Sequence, residues 1–200
     1  MNLFISGWAG FKEALGDIPK DWYFITPFIE LNEIEILNFL ENKSGNTVIG
    51  WSTGGHIILK NLSFFSQRFK ELIVIAGFIR FTHYVSPRII RIMIEKMKTE
   101  PEKVIKEFLI NAGCNPLIVE RIDYKKLIHG LEFLLSSEVS DLNSETKNLI
   151  LLQGLYDKIL PIKALEELKK CYPFAKTFLI EGHHWIGFEE ILKLKASGIA

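Results

Sequence analysis

The sequence predicts an α/β protein: a mostly parallel sheet of about six strands, helices on both faces, and a helical insertion between the fourth and fifth strands. Three observations lead there. Short apolar runs alternate with longer helical patterns, the mark of βαβ units. Roughly seventy residues in the middle of the chain carry no strand signal. One Gly-x-Ser-x-Gly segment stands between a strand run and a helical pattern.

Asn2–Ile5 is the first run of strand type, and Trp22–Thr26, rich in aromatic and β-branched residues, is the second. Thr47–Gly50 is the third. Leu72–Ala76 is continuously apolar, as a strand buried on both faces should be. Asn148–Gln153 and Lys176–Ile180 complete the set. Between them, Glu30–Leu40 carries Ile34, Ile36, Leu37 and Leu40 at helical spacing, Thr53–Leu62 follows the third strand, and Lys163–Cys171 carries Leu165 and Leu168. In the strandless segment, Ser86–Lys98, Glu102–Ala112 and Asn115–Leu135 read as helices separated at Pro87, Pro101, Gly113 and Pro116. The division expected is a core of residues 1–77 and 141–200 with a helical cap of residues 78–140 over the strand ends. A separate helical domain is the rival reading, and the immediate return to strand pattern argues against it. Ligands are expected beyond the carboxyl ends of the strands.

The 200 residues suit one domain with an insertion, and 48% hydrophobic content suffices for a buried core. Lys and Arg number 24, as do Asp and Glu, which argues against bulk nucleic-acid binding. Cys114 and Cys171 are too few for a disulfide framework or a metal site, and read as reduced thiols. The N-terminal MNLFISGWAGF lacks a basic region and a cleavage pattern, and no apolar run approaches the ~20 residues of a membrane span. A soluble, cytoplasmic monomer without metal, cofactor, nucleic-acid or membrane partner is expected.

Gly50-Trp51-Ser52-Thr53-Gly54 is the sharpest motif. Small residues at its ends let the backbone turn closely beneath the serine, and the strand before and helix after are what a nucleophile elbow needs. The N–H of Thr53 would then face an oxyanion. A serine hydroxyl needs a base oriented by a carboxylate, and the chain order of such sites is Ser, acid, His. Asp157 follows the fifth strand, whereas Asp141 and Glu145 precede it and lie at its wrong end. A turn or cap aspartate is the ordinary alternative for Asp157. After the last strand come His183 and His184, of which only one can reach Ser52. His56, His83 and His129 follow no strand and read as surface or structural residues. The second oxyanion donor is expected in the loop Ser6–Gly10, at the N–H of Trp8, whose indole either walls a pocket or belongs to the core.

Together these motifs resemble the α/β-hydrolase superfamily along nearly the whole chain, and most closely the pimeloyl-acyl-carrier-protein methyl ester esterases of biotin synthesis. Ser6-Gly7-Trp8 resembles their His-Gly-Trp loop, with serine in place of histidine. Gly50 to Gly55 is similar to their Gly-Trp-Ser-x-Gly-Gly elbow, Gly130-Leu131-Glu132 to a segment closing their cap, and Gly154 to Pro161 to their acid loop. Val104–Leu109 resembles the helix lining the acyl channel. Relative to that pattern the chain starts at the oxyanion strand, so a reduced sheet is expected. Many relatives place Trp directly after the catalytic histidine, which favours His184, followed here by Trp185.

The resemblance implies a serine esterase acting on a methyl ester carried on acyl-carrier protein. Ser52, Asp157 and His184 would be catalytic, and Trp8 and Thr53 the oxyanion donors. Trp8, Phe108, Leu109, Ile110, Asn111 and Ala112 would line the acyl channel. The segment Phe78–Leu135 holds ten basic and seven acidic residues. Lys103 and Lys106, and Arg121 and Lys125, share helical faces there and could dock an acidic carrier; solvated helix faces are the ordinary reading. A general carboxylesterase or thioesterase, or an inactive binding module on the same fold, are the alternatives.

Overall fold

A computed structural model describes residues 1–116, 122–140 and 145–196. Its strands are β1 (Asn2–Ile5), β2 (Trp22–Ile25), β3 (Gly45–Trp51), β4 (Phe69–Ile75), β5 (Leu149–Gly154) and β6 (Lys176–Ile180). They form one sheet in the order β2-β1-β3-β4-β5-β6, and every pairing is parallel. The chain steps from β1 outward to β2, then crosses back to place β3 on the other side of β1. The strand order therefore reverses between β1 and β3, where open α/β sheets bind ligands. Loops leaving the carboxyl ends of these two neighbours carry Trp8 and Ser52.

The helices among the described residues are α1 (Glu33–Leu40), α2 (Thr53–Lys60), α3 (Leu62–Ser66), α4 (Pro87–Met97), α5 (Pro101–Ala112), α6 (Tyr124–Ser136), α7 (Ile162–Cys171) and α8 (Phe188–Ala196). Strand side chains alternate between two apolar layers. Leu3, Ile5, Val48, Leu72, Val74 and Leu151 meet α1, α2, α3 and α7, while Phe4, Ile49, Ile73, Ile75 and Leu152 join residues of α4, α5, α6 and α8. Burial on both faces explains the uninterrupted apolar runs.

Local signals set the helix ends. Asn32 and Glu35 form a capping box at the start of α1. Proline opens α4 and α5, and Gly113, at φ 79°, ends α5 in the left-handed conformation. Two expectations need correction. The pattern Thr53–Leu62 breaks at Asn61, whose side-chain amide donates to the carbonyl of Ile57 and to Glu33. Of the pattern Asn115–Leu135, residues 117–121 lie outside the described part, and the described helix begins at Tyr124, where the Asp123 carboxylate accepts from the Lys125 N–H. No described helix is long and apolar enough to cross a membrane.

His56 is a structural histidine, and His83 and His129 are exposed. On α2, His56 Nδ1–H donates to the Phe78 carbonyl at 2.9 Å, and its Nε2 accepts from the Ser137 hydroxyl at 2.8 Å. Burial pushes its pKa from the ordinary 6.5 down to about 4. The unfolded chain binds this proton more readily, so stability is present above pH 6.5 and is lost as pH falls toward 4. The loss expected is about 3 kcal/mol. Tm measured across that pH range should show it, and His56→Leu should remove this component of the slope.

Candidate functional site

At the end of β3 the chain makes a turn only small residues allow. A Cβ added at Gly54 would stand 2.0 Å from the Ile5 carbonyl oxygen, and one at Gly50 would stand 2.7 Å from the Gly54 carbonyl. Between them Ser52 takes φ 53° and ψ −110°, a conformation costly for a non-glycine residue. Its N–H donates to the Ile75 carbonyl at 2.8 Å, which fixes the turn against β4. Because backbone blocks a side chain at Gly54, Gly54→Ala should destabilise the fold by at least about 1–3 kcal/mol, read as a lower midpoint in urea.

The structure brings Ser52, His184 and Asp157 into one hydrogen-bonded row. The Ser52 hydroxyl donates to His184 Nε2 at 2.9 Å, and His184 Nδ1–H donates to Asp157 Oδ2 at 2.8 Å. The carboxylate accepts only, so it holds the proton on Nδ1 and leaves Nε2 free to accept. Asp157 is itself fixed, because Oδ1 accepts from the N–H groups of Ile159 and Leu160 at 2.8 and 2.9 Å. The His184 and Asp157 side chains are 0% and 1% exposed, and Ser52 is 4% exposed. His183 instead faces away: its ring contacts Tyr156, and its Nδ1 lies 3.4 Å from the Tyr156 carbonyl.

The loop after β1 stands beside the elbow. No partner among the described residues takes the N–H of Trp8 or of Thr53. Two residues that the motifs contain without an assigned role shape this region. Ser6, fully buried, donates to the Gly10 carbonyl at 2.5 Å and closes the loop that presents Trp8. Trp51, inside the elbow motif, donates from Nε1 to the His184 carbonyl at 2.8 Å and packs its rings on His184 and Trp185. The signal for Trp51 was its place beside Ser52, where a large aromatic must pack beneath the turn. Trp185 donates from its backbone N–H to the Ala112 carbonyl, tying the histidine loop to α5.

A cavity of about 560 Å³ lies among α4, α5, α6 and the β1 loop. Its wall is mainly apolar, including Trp8, Phe81, Val85, Met93, Phe108 and Leu134, and Lys158 and Ile159, directly after Asp157, close one side. Trp8 both walls it and is 2% exposed; its indole N–H donates to the Leu127 carbonyl at 2.8 Å, and its ring stands edge-on to Phe108 at 4.9 Å. The expected lining needs correction. On α5, Val104, Glu107, Phe108 and Asn111 face the cavity, the i, i+3, i+4, i+7 stripe of one helix face. Leu109 and Ala112 are fully buried in the core, and Ile110 points to solvent at 53% exposure.

The cations expected to meet a carrier are described in part. Lys103 pairs with Glu100 at 3.1 Å, and with Lys106 it lies off the cavity-facing stripe of α5. Lys125 is exposed on the first turn of α6, and Arg121 lies outside the described residues. Among the described residues no cluster of His, Cys, Asp or Glu could hold a metal ion.

No family model and no curated protein matches this sequence. Solved structures do match in shape. An esterase from Thermogutta terrifontis superposes with a TM-score of 0.70 at 13% identity, over 98% of this chain and 88% of that one. An esterase from Exiguobacterium antarcticum gives 0.68 at 14%, over 99% and 90%. An alpha/beta hydrolase from a Medee basin deep-sea metagenome gives 0.65 at 15%, over 99% and 88%. With its wholly parallel six-stranded sheet, this chain has the α/β-hydrolase fold.

Proposed function

We propose that the chain is a serine carboxylesterase acting on esters with an apolar acyl group. The observation that carries this is the buried Asp157–His184–Ser52 row at the end of β3, with the N–H groups of Trp8 and Thr53 beside it. Ser52 Oγ attacks the ester carbonyl carbon while its proton passes to His184 Nε2. The carbonyl oxygen gains negative charge, which the N–H groups of Trp8 and Thr53 meet; one such donor is worth about 3 kcal/mol. Asp157 stabilises the imidazolium without taking its proton. As the ester C–O bond breaks, the alcohol leaves with the proton from Nε2 and the acyl group stays on Ser52. Water then gives its proton to Nε2, attacks the acyl carbon and releases the acid, restoring the serine hydroxyl. The apolar cavity, which shares Trp8 with the oxyanion loop and Lys158 and Ile159 with the acid loop but does not include Ser52 or His184 in its wall, supports an acyl chain as the part of substrate that is bound.

Within this class, the narrower candidate is the methyl ester of a pimeloyl chain on acyl-carrier protein. In support, two motifs of that resemblance meet in space: a Cβ at Gly130 would lie 2.9 Å from Trp8 Cδ1, so Gly130 gives the Trp8 indole room against α6. A substrate panel tests both levels. Nitrophenyl esters of increasing acyl length should show kcat/KM rising from acetate to a medium chain, then falling once the cavity is filled; a flat profile would remove the cavity from substrate binding. Methyl pimeloyl-carrier protein should exceed them all if the narrower candidate is correct, and should match free methyl pimelate if the enzyme is a general esterase.

A further inference from the structure

The solvent face of α4 combines two features that a merely solvated helix does not need. Ile89 and Ile92 are 50% and 45% exposed there, which leaves large apolar side chains in water. Arg88, Arg91 and Lys96, exposed on the same arc, have no ion-pair or hydrogen-bond partner for their side chains among the described residues. The only acid on this face, Glu95, is engaged by Lys98 at 2.7 Å. The opposite side of the helix is anchored, with Ile90 and Met97 buried in the core. Ile89, Ile92 and Lys96 also belong to the wall of the apolar cavity, so the face adjoins it.

We propose that α4 docks this protein on an anionic lipid surface, with Arg88, Arg91 and Lys96 against headgroups and Ile89 and Ile92 entering the acyl boundary. Unpaired cations around exposed aliphatic side chains complement such a surface in both charge and polarity. Adjacency to the cavity gives the docking a use, since an amphiphilic ester could pass from the lipid into the acyl site without crossing water. That use rests on the esterase reading; the docking does not. It departs from the expectation of no membrane partner, which was drawn from the lack of a spanning segment and does not bear on a peripheral contact.

The test separates the two claims by using Ser52→Ala protein, which binds whether or not the wild type is an esterase. Co-sedimentation is measured with vesicles of phosphatidylcholine alone and of phosphatidylcholine with phosphatidylglycerol. Binding is expected only with the anionic vesicles and should weaken with added salt. Arg88→Glu with Arg91→Glu should reduce it at least about tenfold, and Ile89→Ser with Ile92→Ser should reduce it at unchanged charge, with circular dichroism confirming that each variant folds. No binding to anionic vesicles, or binding indifferent to these substitutions, would overturn the proposal. So would a raised KM for a carrier-protein ester in the charge-reversed variant without any vesicle binding, since the face would then serve an acidic protein. Failure of the esterase reading would appear separately, as wild-type protein that binds vesicles yet hydrolyses no ester.

Discussion

Ser52→Ala is expected to lower kcat/KM for every ester the protein hydrolyses by a factor on the order of a thousand or more, with Tm close to that of the wild type. The two halves of this result follow from one geometry. The hydroxyl is the only atom of the row placed to attack a carbonyl, so its loss removes the covalent route and leaves the binding groups and oxyanion donors. Its contribution to folding is small: it makes one hydrogen bond, to His184, and alanine at φ 53° meets much the same backbone cost as serine. A variant that kept most of its activity would show that another group attacks the ester.

His184→Ala should abolish turnover to a similar degree, whereas His183→Ala should keep activity within about tenfold of the wild type. The two residues are neighbours in sequence and opposite in role. His184 lies between Ser52 and Asp157, fully buried, while His183 is turned toward Tyr156 and packs its Cβ where a side chain at Gly113 would sit. Activity is to be compared per folded protein, because removing His184 also strips a partner from buried Asp157. The reverse ranking of the two variants would contradict the assignment of the base to His184.

How far the sequence could be read depended on whether a feature is local. The bounds of β1 and β6 coincide with their apolar runs. Those of β3 and β4 begin earlier, at Gly45 and Phe69, because Gly45, Asn46, Lys70 and Glu71 break the apolar pattern while the Gly45–Phe69 pairing carries the ladder on to the sheet rim. The elbow was legible because its glycines are demanded by close backbone approach within a few residues. Lining of the cavity was not: five consecutive residues, Phe108 to Ala112, cannot share a wall on a helix, and which of them faces in depends on how α5 packs against Trp8 and α4. The helix α8 escaped notice although Phe188 and Ile191, three apart and buried, carried its signal. The indole of Trp51 has its partner, the His184 carbonyl, in a loop that only the fold brings close, whereas the partner of the Ser6 hydroxyl, the Gly10 carbonyl, lies in its own loop.

Activation of Ser52 as a nucleophile by His184 and Asp157 can be measured directly. Labelling with a fluorophosphonate, followed by peptide mass analysis, tests it without knowledge of the natural ester. One adduct is expected, on Ser52, absent in Ser52→Ala, strongly slowed in His184→Ala and nearly unaffected in His183→Ala. Unlabelled wild-type protein, or an adduct on any other residue with Ser52 unmodified, would contradict it.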